Sequence, residues 1–266
     1  MKIAIIGAGN LGQSIANGLL QDTLVVSLYI TKRNVSEISA LKKHENVVVT
    51  SDNIEAVKNS ELLIFAVQPA HFEGVLNEIK PYITDRHTVI STITGYSIAK
   101  IEAQLSVKQA IIRAMPNTAI AVGKSMTCIC SNVSAEKRVD VAQKIFNSLG
   151  HSLLIPESQM QAATVVCASG IAFWMRLIRA TTQAAIQLGF DAKEAQQLAM
   201  FTSEGAANLL IQSGKHPEEE IDRVTTPKGC TIEGLNEMEH KGLSSSLIQG
   251  MVASFNKINT IKTDQL

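Results

Sequence analysis

The residues best suited to chemistry form a glycine-rich run near the start of the chain, Gly7-Ala8-Gly9-Asn10-Leu11-Gly12, which reads G-x-G-x-x-G. It follows a short apolar segment, Lys2–Ile6, and opens a segment, Leu11–Leu20, whose apolar residues recur at helical spacing. In that strand–loop–helix setting the run predicts a site for the pyrophosphate of a dinucleotide. The first glycine permits a tight turn, the second lets the backbone approach the phosphates, and the third lets the helix pack against the sheet. The helix N-terminus at Asn10, Leu11 and Gly12 adds free N–H groups and partial positive charge. The bland alternative is a tight turn with no ligand.

The next informative position lies about 20 residues further on, where an NAD site carries an acid for the ribose 2′-hydroxyl. Here Thr31-Lys32-Arg33-Asn34 supplies two cations, small polar groups and no acid. That composition suits a 2′-phosphate, so NADP is favoured over NAD. Against it stands the plain reading of Lys32 and Arg33 as a solvated loop. Three more segments lie at the ends of apolar runs: Ala66-Val67-Gln68-Pro69, Thr92-Ile93-Thr94-Gly95 and Arg113-Ala114-Met115-Pro116-Asn117-Thr118. Ligands of open α/β sheets bind beyond the carboxyl ends of the strands, so these segments are expected to line a nicotinamide pocket. Turn chemistry alone would also account for their prolines and glycine.

A second constellation lies late in the chain, at Thr225-Thr226-Pro227-Lys228-Gly229-Cys230-Thr231-Ile232. Proline, glycine and hydroxyls run into an amphipathic helix, which makes an N-terminus able to hold an anion such as a carboxylate. The competing reading is an ordinary N-cap made by Thr226 or Thr231. Nothing demands a metal or a nucleophile. The six His, at 44, 71, 87, 151, 216 and 240, lack ligand spacing, and there is no G-x-S-x-G. Cys128, Cys130, Cys167 and Cys230 are expected to be reduced thiols.

The elements that must position these groups alternate. Strands are expected at Lys2–Ile6, Leu24–Ile30, Val47–Val49, Glu61–Val67, Thr88–Ser91, Ala110–Met115, Ser125–Cys130 and His151–Ile155. Helices are expected between them at Leu11–Leu20, Ser36–Lys43, Ile54–Lys58, Val75–Ile79, Ile98–Leu105 and Ala135–Leu149. Unbroken apolar strands alternating with helices specify a doubly wound, mainly parallel sheet of the Rossmann type. Beyond Pro156 the pattern turns all-helical, with segments at Ser158–Leu188, Ala192–Ser213, Glu218–Val224, Thr231–Lys241 and Ser245–Ile261. The division is therefore an α/β domain over residues 1–156 and an all-α domain over 157–266. The helix Ser158–Leu188 is apolar on more than one side, so it is buried all round or shared with another subunit.

Composition bounds the function. The 266 residues carry 24 Lys plus Arg and 24 Asp plus Glu, so the formal charge is zero and gives no electrostatic case for nucleic acid or an anionic membrane. Only 4% of residues are aromatic, which disfavours stacking platforms for single strands. No apolar run is expected to reach the roughly 20 residues of a membrane span. The segment MKIAIIGAGN breaks at glycine too early for a secretory signal. A cytoplasmic protein is expected.

Taken together these segments resemble the pyrroline-5-carboxylate reductase family. The likeness covers essentially the whole chain. It is carried by GAGNLG at Gly7–Gly12, DN-x-EAV at Asp52–Val57, AVQP at Ala66–Pro69, MPNT at Met115–Thr118, ASG at Ala168–Gly170 and TTPKGCTIEGLNEMEHKG at Thr225–Gly242. The resemblance implies reduction of 1-pyrroline-5-carboxylate to L-proline with NAD(P)H, and a homodimer formed through the helical domain, with dimers able to build a ring. It implies that Asn53 contacts the adenosine ribose and that Ala66–Gln68 and Thr92–Gly95 flank the nicotinamide. It further implies that Gly229, Cys230 and Thr231 hold the substrate carboxylate, with the Thr231 hydroxyl near the ring nitrogen. A protonated cyclic imine accepts hydride readily, so such a site needs positioning more than acid–base groups. Thr231, or a water it positions, is the candidate proton donor.

The chain departs from the family pattern at Gln68, where Lys is common, at Ala119, where Pro is frequent, and at Lys228 and Cys230, where Gly and Thr are usual. Cys167-Ala168-Ser169-Gly170-Ile171-Ala172-Phe173 replaces SGSGPAY, and Arg179 replaces a frequent acid. Lys228 either adds a cation for the carboxylate or points to solvent. Two alternatives remain: another two-domain NADP-dependent imine or 3-hydroxyacid oxidoreductase, and a non-catalytic NADPH sensor. Hydroxyacid enzymes typically use a Lys on the interdomain helix. Between Ser158 and Leu188 only Arg176 and Arg179 occur.

Overall fold

The computed structural model describes residues 1–20, 25–105 and 108–261. They form two compact units, one built on Met1–Ser169 and the other on Gly170–Lys257.

The first unit is a doubly wound sheet. Its strands are β1 (Lys2–Ile6), β2 (Ser27–Thr31), β3 (Val47–Thr50), β4 (Leu62–Phe65), β5 (Thr88–Ser91), β6 (Ala110–Met115), β7 (Ser125–Ser131) and β8 (Gly150–Leu154). Their order is β3-β2-β1-β4-β5-β6-β7-β8. All neighbours run parallel except β6 and β7. The chain leaves β1 toward β2 and β3, then returns to pair β4 on the other side of β1. That reversal opens a crevice beyond the carboxyl ends of β1 and β4, the usual ligand position in such sheets.

Helices cover both faces, which explains the unbroken apolar strands. Ile3 and Ile5 of β1 face α1 (Asn10–Leu19) and α5 (Val139–Asn147), where Ile15, Leu19 and Phe146 are fully buried. Ala4 and Ile6 point the other way, toward α2 (Asn53–Lys58), α3 (Pro69–Ile79) and α4 (Ile98–Gln104), where Val57, Phe72, Leu76 and Ile101 are fully buried. Asp52 caps α2, its carboxylate accepting from Ile54 N and Glu55 N at 2.8 and 3.0 Å. Glu157 Oε1 accepts from Ile98 N at 2.7 Å and from buried Arg113 at 2.9 Å, tying β6 to the N-terminus of α4.

Several expected elements shift. α3 begins at Pro69, ahead of the expected Val75, because proline is tolerated at the first helical position. The expected helix Ala135–Leu149 divides into a 3-10 stretch, Val133–Arg138, and α5. The expected strand Leu24–Ile30 begins at Ser27, and Leu24 lies outside the described residues.

A continuous helical stretch spans Glu157–Gln187. It includes α6 (Met160–Ala163), a π-helical segment (Thr164–Ser169) and α7 (Gly170–Gln187), the first element of the second unit. This stretch is long and apolar enough to cross a membrane by length and composition, which corrects the expectation that no segment reaches that size. The sequence run looks shorter because Arg176 and Arg179 interrupt it. The second unit continues through α8 (Ala192–Ser213), α9 (Pro217–Val224), α10 (Cys230–His240) and α11 (Leu243–Ile261) as far as Lys257. Within it, few side chains are buried, chiefly Thr182, Ala195 and Ala199. Trp174 and Met175 are 62% and 57% exposed, so α7 is not buried all round by its own chain.

Candidate active site

The glycine run turns sharply after β1. Gly7 has φ +99°, a conformation that favours glycine, and a Cβ there would sit 2.5 Å from Val67 Cγ1. Gly7 N donates to Thr31 Oγ1 at 3.3 Å and Ala8 N to Thr31 O at 2.8 Å, so the end of β2 fixes the loop. A Cβ on Gly12 would collide with the Gly7 carbonyl oxygen, which is the close helix–loop contact expected of the third glycine. Gly9 differs, because a Cβ there would meet nothing within 4 Å. It is the N-cap of α1, with no side chain capping the helix and no acid in the first turn. Open space above an uncapped, unneutralised helix N-terminus fits a pyrophosphate.

A cleft of about 800 Å³ opens at this point. It is lined by Gly7, Ala8 and Gly9, by Thr31 through Asn34 with Glu37 and Ser51, by Asn53, and by Ala66, Val67, Gln68, His71 and Glu78. The expected cofactor residues Gly7, Gly9, Lys32, Arg33, Asn34, Asn53, Ala66, Val67 and Gln68 thus share one cavity. Pro69 opens α3 beside it. Asn53 faces the cleft, and its amide donates to Glu78 Oε2 at 3.0 Å.

The cations at the end of β2 are not both unpaired. Lys32 Nζ lies 2.6 Å from Glu37 Oε2, and Asn34 Nδ2 donates to Glu37 Oε1 at 3.0 Å. Lys32 holds the Glu37 carboxyl below its ordinary range, first as a hydrogen-bond donor and then as a charge. An acid is therefore present in space where the sequence shows none at the expected offset. Glu37 lies on the 3-10 stretch Val35–Lys43 and lines the cleft. The signal was available: Asn34 followed three residues later by Glu37 has capping-box spacing.

Thr94, Gly95 and Asn117 belong to the loops beyond β5 and β6, outside the cleft wall just described. Thr94 Oγ1 approaches Met115 Sδ at 3.9 Å, while Gly95 has φ +86° and open space at its Cβ position. Both ends of the Asn117 side chain are held by protein: Oδ1 accepts from Ala119 N at 3.0 Å and Nδ2 donates to Cys167 O at 3.1 Å. That second bond anchors the π-helical segment, where Cys167 Sγ lies 3.8 Å from Cys128 Sγ. Donation from Cys128 holds the Cys167 thiol below its ordinary value, while the same bond and burial push Cys128 up. The sequence places these two cysteines on separate elements, 39 residues apart, and does not indicate their contact.

The second constellation folds as a turn leading into α10. Gly229 N donates to Thr226 O at 2.9 Å, and a Cβ on Gly229 would collide with Thr226 Oγ1. Lys228 carries φ +59°, the only positive φ among the described non-glycine residues. The N-cap of α10 is Gly229, with no side-chain cap bond. The capping alternative for Thr226 and Thr231 therefore falls: Thr226 lies three residues before the N-cap and makes no side-chain cap bond, and Thr231 lies inside the helix. Cys230 is exposed and Thr231 half-buried beside this N-terminus, whose first turn also carries Glu233. Among the described residues no group of three His, Cys, Asp or Glu is placed to hold a metal ion.

A glycine-loop cleft at the switch point of a doubly wound sheet, ahead of an all-helical unit, defines a dinucleotide-binding protein of the Rossmann class. Comparison with known proteins specifies the family. Residues 157–261 match the family described as pyrroline-5-carboxylate reductase dimerisation, and residues 2–95 match NADP oxidoreductase coenzyme F420-dependent. Pyrroline-5-carboxylate reductase 2 of Dictyostelium discoideum is 40% identical, over 98% of this chain and 97% of that protein. Pyrroline-5-carboxylate reductase 1 of the same organism is 43% identical over 99% of this chain, which spans about half of that protein (50%). The crystal structure of Plasmodium falciparum pyrroline carboxylate reductase with NADP bound superposes with a TM-score of 0.87 at 25% identity, over 98% of both chains. The chain belongs to the pyrroline-5-carboxylate reductase family. Its match to a dimerisation domain over residues 157–261 supports homo-oligomer formation.

Proposed function

We propose that this chain reduces 1-pyrroline-5-carboxylate to L-proline with NADPH. The observation that carries the reading is one chain of this family holding both an open glycine-loop cleft and an uncapped helix N-terminus at Gly229–Thr231. Bound NADPH supplies the hydride from C4 of its nicotinamide; the residues of the chain bind, orient and protonate.

Gly7, Gly9 and the N–H groups of Asn10, Leu11 and Gly12 receive the pyrophosphate. Asn53 contacts the ribose, and Lys32, Arg33 and Asn34 favour the 2′-phosphate, hence NADPH over NADH. Ala66, Val67, Gln68 and Pro69, with Thr94, Gly95 and Asn117, flank the nicotinamide. Asn117 acts by holding its loop, since its side chain is already bonded. Thr226, Lys228, Gly229, Cys230 and Thr231 hold the substrate carboxylate at the N-terminus of α10. Thr231, or a water bound to it, keeps a proton at the ring nitrogen. Orientation supplies most of the rate, because a reacting pair held at near-attack distance avoids much of the entropic barrier.

Residues 1–156 then serve as the cofactor-binding part and 157–266 as the substrate-binding and dimerisation part. The homodimer builds further into a ring in the cytoplasm. Neither an imine nor a 3-hydroxyacid reductase of other specificity, nor an NADPH sensor, accounts as well for the Thr225–Thr231 loop. The absence of Lys between Ser158 and Leu188 also counts against the hydroxyacid enzymes. The test is NADPH oxidation by purified protein on addition of pyrroline-5-carboxylate, with proline identified as product. Folded protein that binds NADPH but turns over no pyrroline-5-carboxylate contradicts the assignment.

A further inference from the structure

The end of β2 pairs the best-placed cation of the cleft with an acid. Lys32 Nζ and Glu37 Oε2 are 2.6 Å apart, and the Lys32 side chain is only 21% exposed against 54% for Glu37. Asn34 holds the other Glu37 oxygen at 3.0 Å, and all three residues line the cleft together with Arg33. The 3-10 stretch is stiffened locally, because Asn34 Oδ1 also accepts from Ser36 N and Ser36 Oγ at 3.3 and 2.7 Å. Glu37 is thus held in register with Lys32 by a short closed network.

We propose that Glu37 sets the coenzyme discrimination of this cleft by competing with the 2′-phosphate of NADP for Lys32. This rests on the dinucleotide reading above and adds a residue that works against its NADPH preference. A 2′-phosphate reaching Lys32 must displace the carboxylate or share the lysine with it. A carboxylate beside the ribose is also the group that accepts from a 2′-hydroxyl in NAD sites. The Lys32–Glu37 pair is partly solvated, and pairs of that kind are weak enough to exchange. Glu37 therefore tempers the choice between the two coenzymes without abolishing binding of either. It acts through Lys32 and is a positioning residue, remote from the hydride.

The fragments 2′,5′-ADP and 5′-AMP isolate the 2′-phosphate, and both are titrated against the full-length protein alongside NADPH. Glu37→Gln is expected to tighten 2′,5′-ADP roughly two- to fivefold while 5′-AMP stays within about twofold. In turnover the same change is expected to lower KM for NADPH with kcat unaltered. In a Lys32→Met background the Glu37→Gln gain is expected to vanish, and this separates competition for Lys32 from plain repulsion of phosphate. Unchanged 2′,5′-ADP affinity in Glu37→Gln, or a gain that survives Lys32→Met, overturns the proposal while NADPH binding leaves the dinucleotide reading standing. Wild-type protein that binds none of the three ligands overturns both.

Discussion

Lys228 and Thr231 carry the residue-scale argument. Lys228 sits in the left-handed region, where a side chain costs roughly 1 kcal/mol and glycine costs little. Lys228→Gly is therefore expected to raise stability by up to about 1 kcal/mol in a denaturant titration, less the chain entropy glycine adds. If the lysine also draws in the carboxylate, KM for pyrroline-5-carboxylate rises in the same variant. Thr231→Ala is expected to cut kcat/KM for the imine about ten- to hundredfold, the value of a hydrogen bond to a charged group, with NADPH affinity intact. Loss of both together would show that the two sites are not divided as drawn. What was legible at this scale is what backbone geometry demands: glycines that must turn tightly, and a proline–glycine turn into a helix. Glu37 was legible only through the Asn34–Glu37 capping spacing, since its ion pair with Lys32 needs the 3-10 turn to bring the two side chains together. The Cys128–Cys167 contact was not legible, since the two residues lie on elements whose pairing no local pattern encodes.

At the scale of elements, the glycine loop makes two opposite forecasts from one motif. Gly9→Ala adds a methyl into open space, so the fold is expected to survive with an unchanged thermal midpoint while NADPH binding weakens at least about tenfold through lost backbone approach. Gly12→Ala drives a methyl into the Gly7 carbonyl and is expected to cost roughly 1–3 kcal/mol of stability, read by thermal denaturation. Equal effects of the two on stability would contradict the assignment of ligand space to Gly9. The parallel strands were legible because burial on both faces makes them continuous apolar runs. The antiparallel insertion of β7 was not, since a buried central strand has the same apolar signature in either direction. Nor does composition reveal the π-helical segment Thr164–Ser169, which depends on backbone hydrogen-bond choice. Segments of this kind gather at functional sites, and this one spans most of the family's ASG signature.

For the whole molecule, the second unit leaves apolar side chains exposed on its helices, within the stretch that matches a dimerisation family. Trp174 is the only tryptophan and is 62% exposed in the single chain. Its fluorescence is expected to shift to longer wavelength on dilution as subunits separate, and Trp174→Glu is expected to give a monomer by light scattering. A monomeric wild type at micromolar concentration would contradict this. A pH effect belongs to the first unit. His87 is fully buried between Val57 O and Thr84 N, and burial, aided by nearby Arg86 and Arg138, lowers its pKa. Because its folded pKa lies below the unfolded value of about 6.5, the unfolded chain binds more protons below that pH. His87 stabilisation is thus complete above about pH 6.5 and declines as pH falls toward the folded pKa. The thermal midpoint is expected to fall on acidification, with a shallower slope in His87→Gln; equal slopes would exclude His87 as the cause. The central claim, hydride delivery to a cyclic imine, is tested most directly with NADPH deuterated at the transferring position of nicotinamide C4. Incubation with pyrroline-5-carboxylate is predicted to yield L-proline one mass unit heavier, the label on the former imine carbon. Unlabelled proline, or no proline from folded protein that binds NADPH, would contradict it.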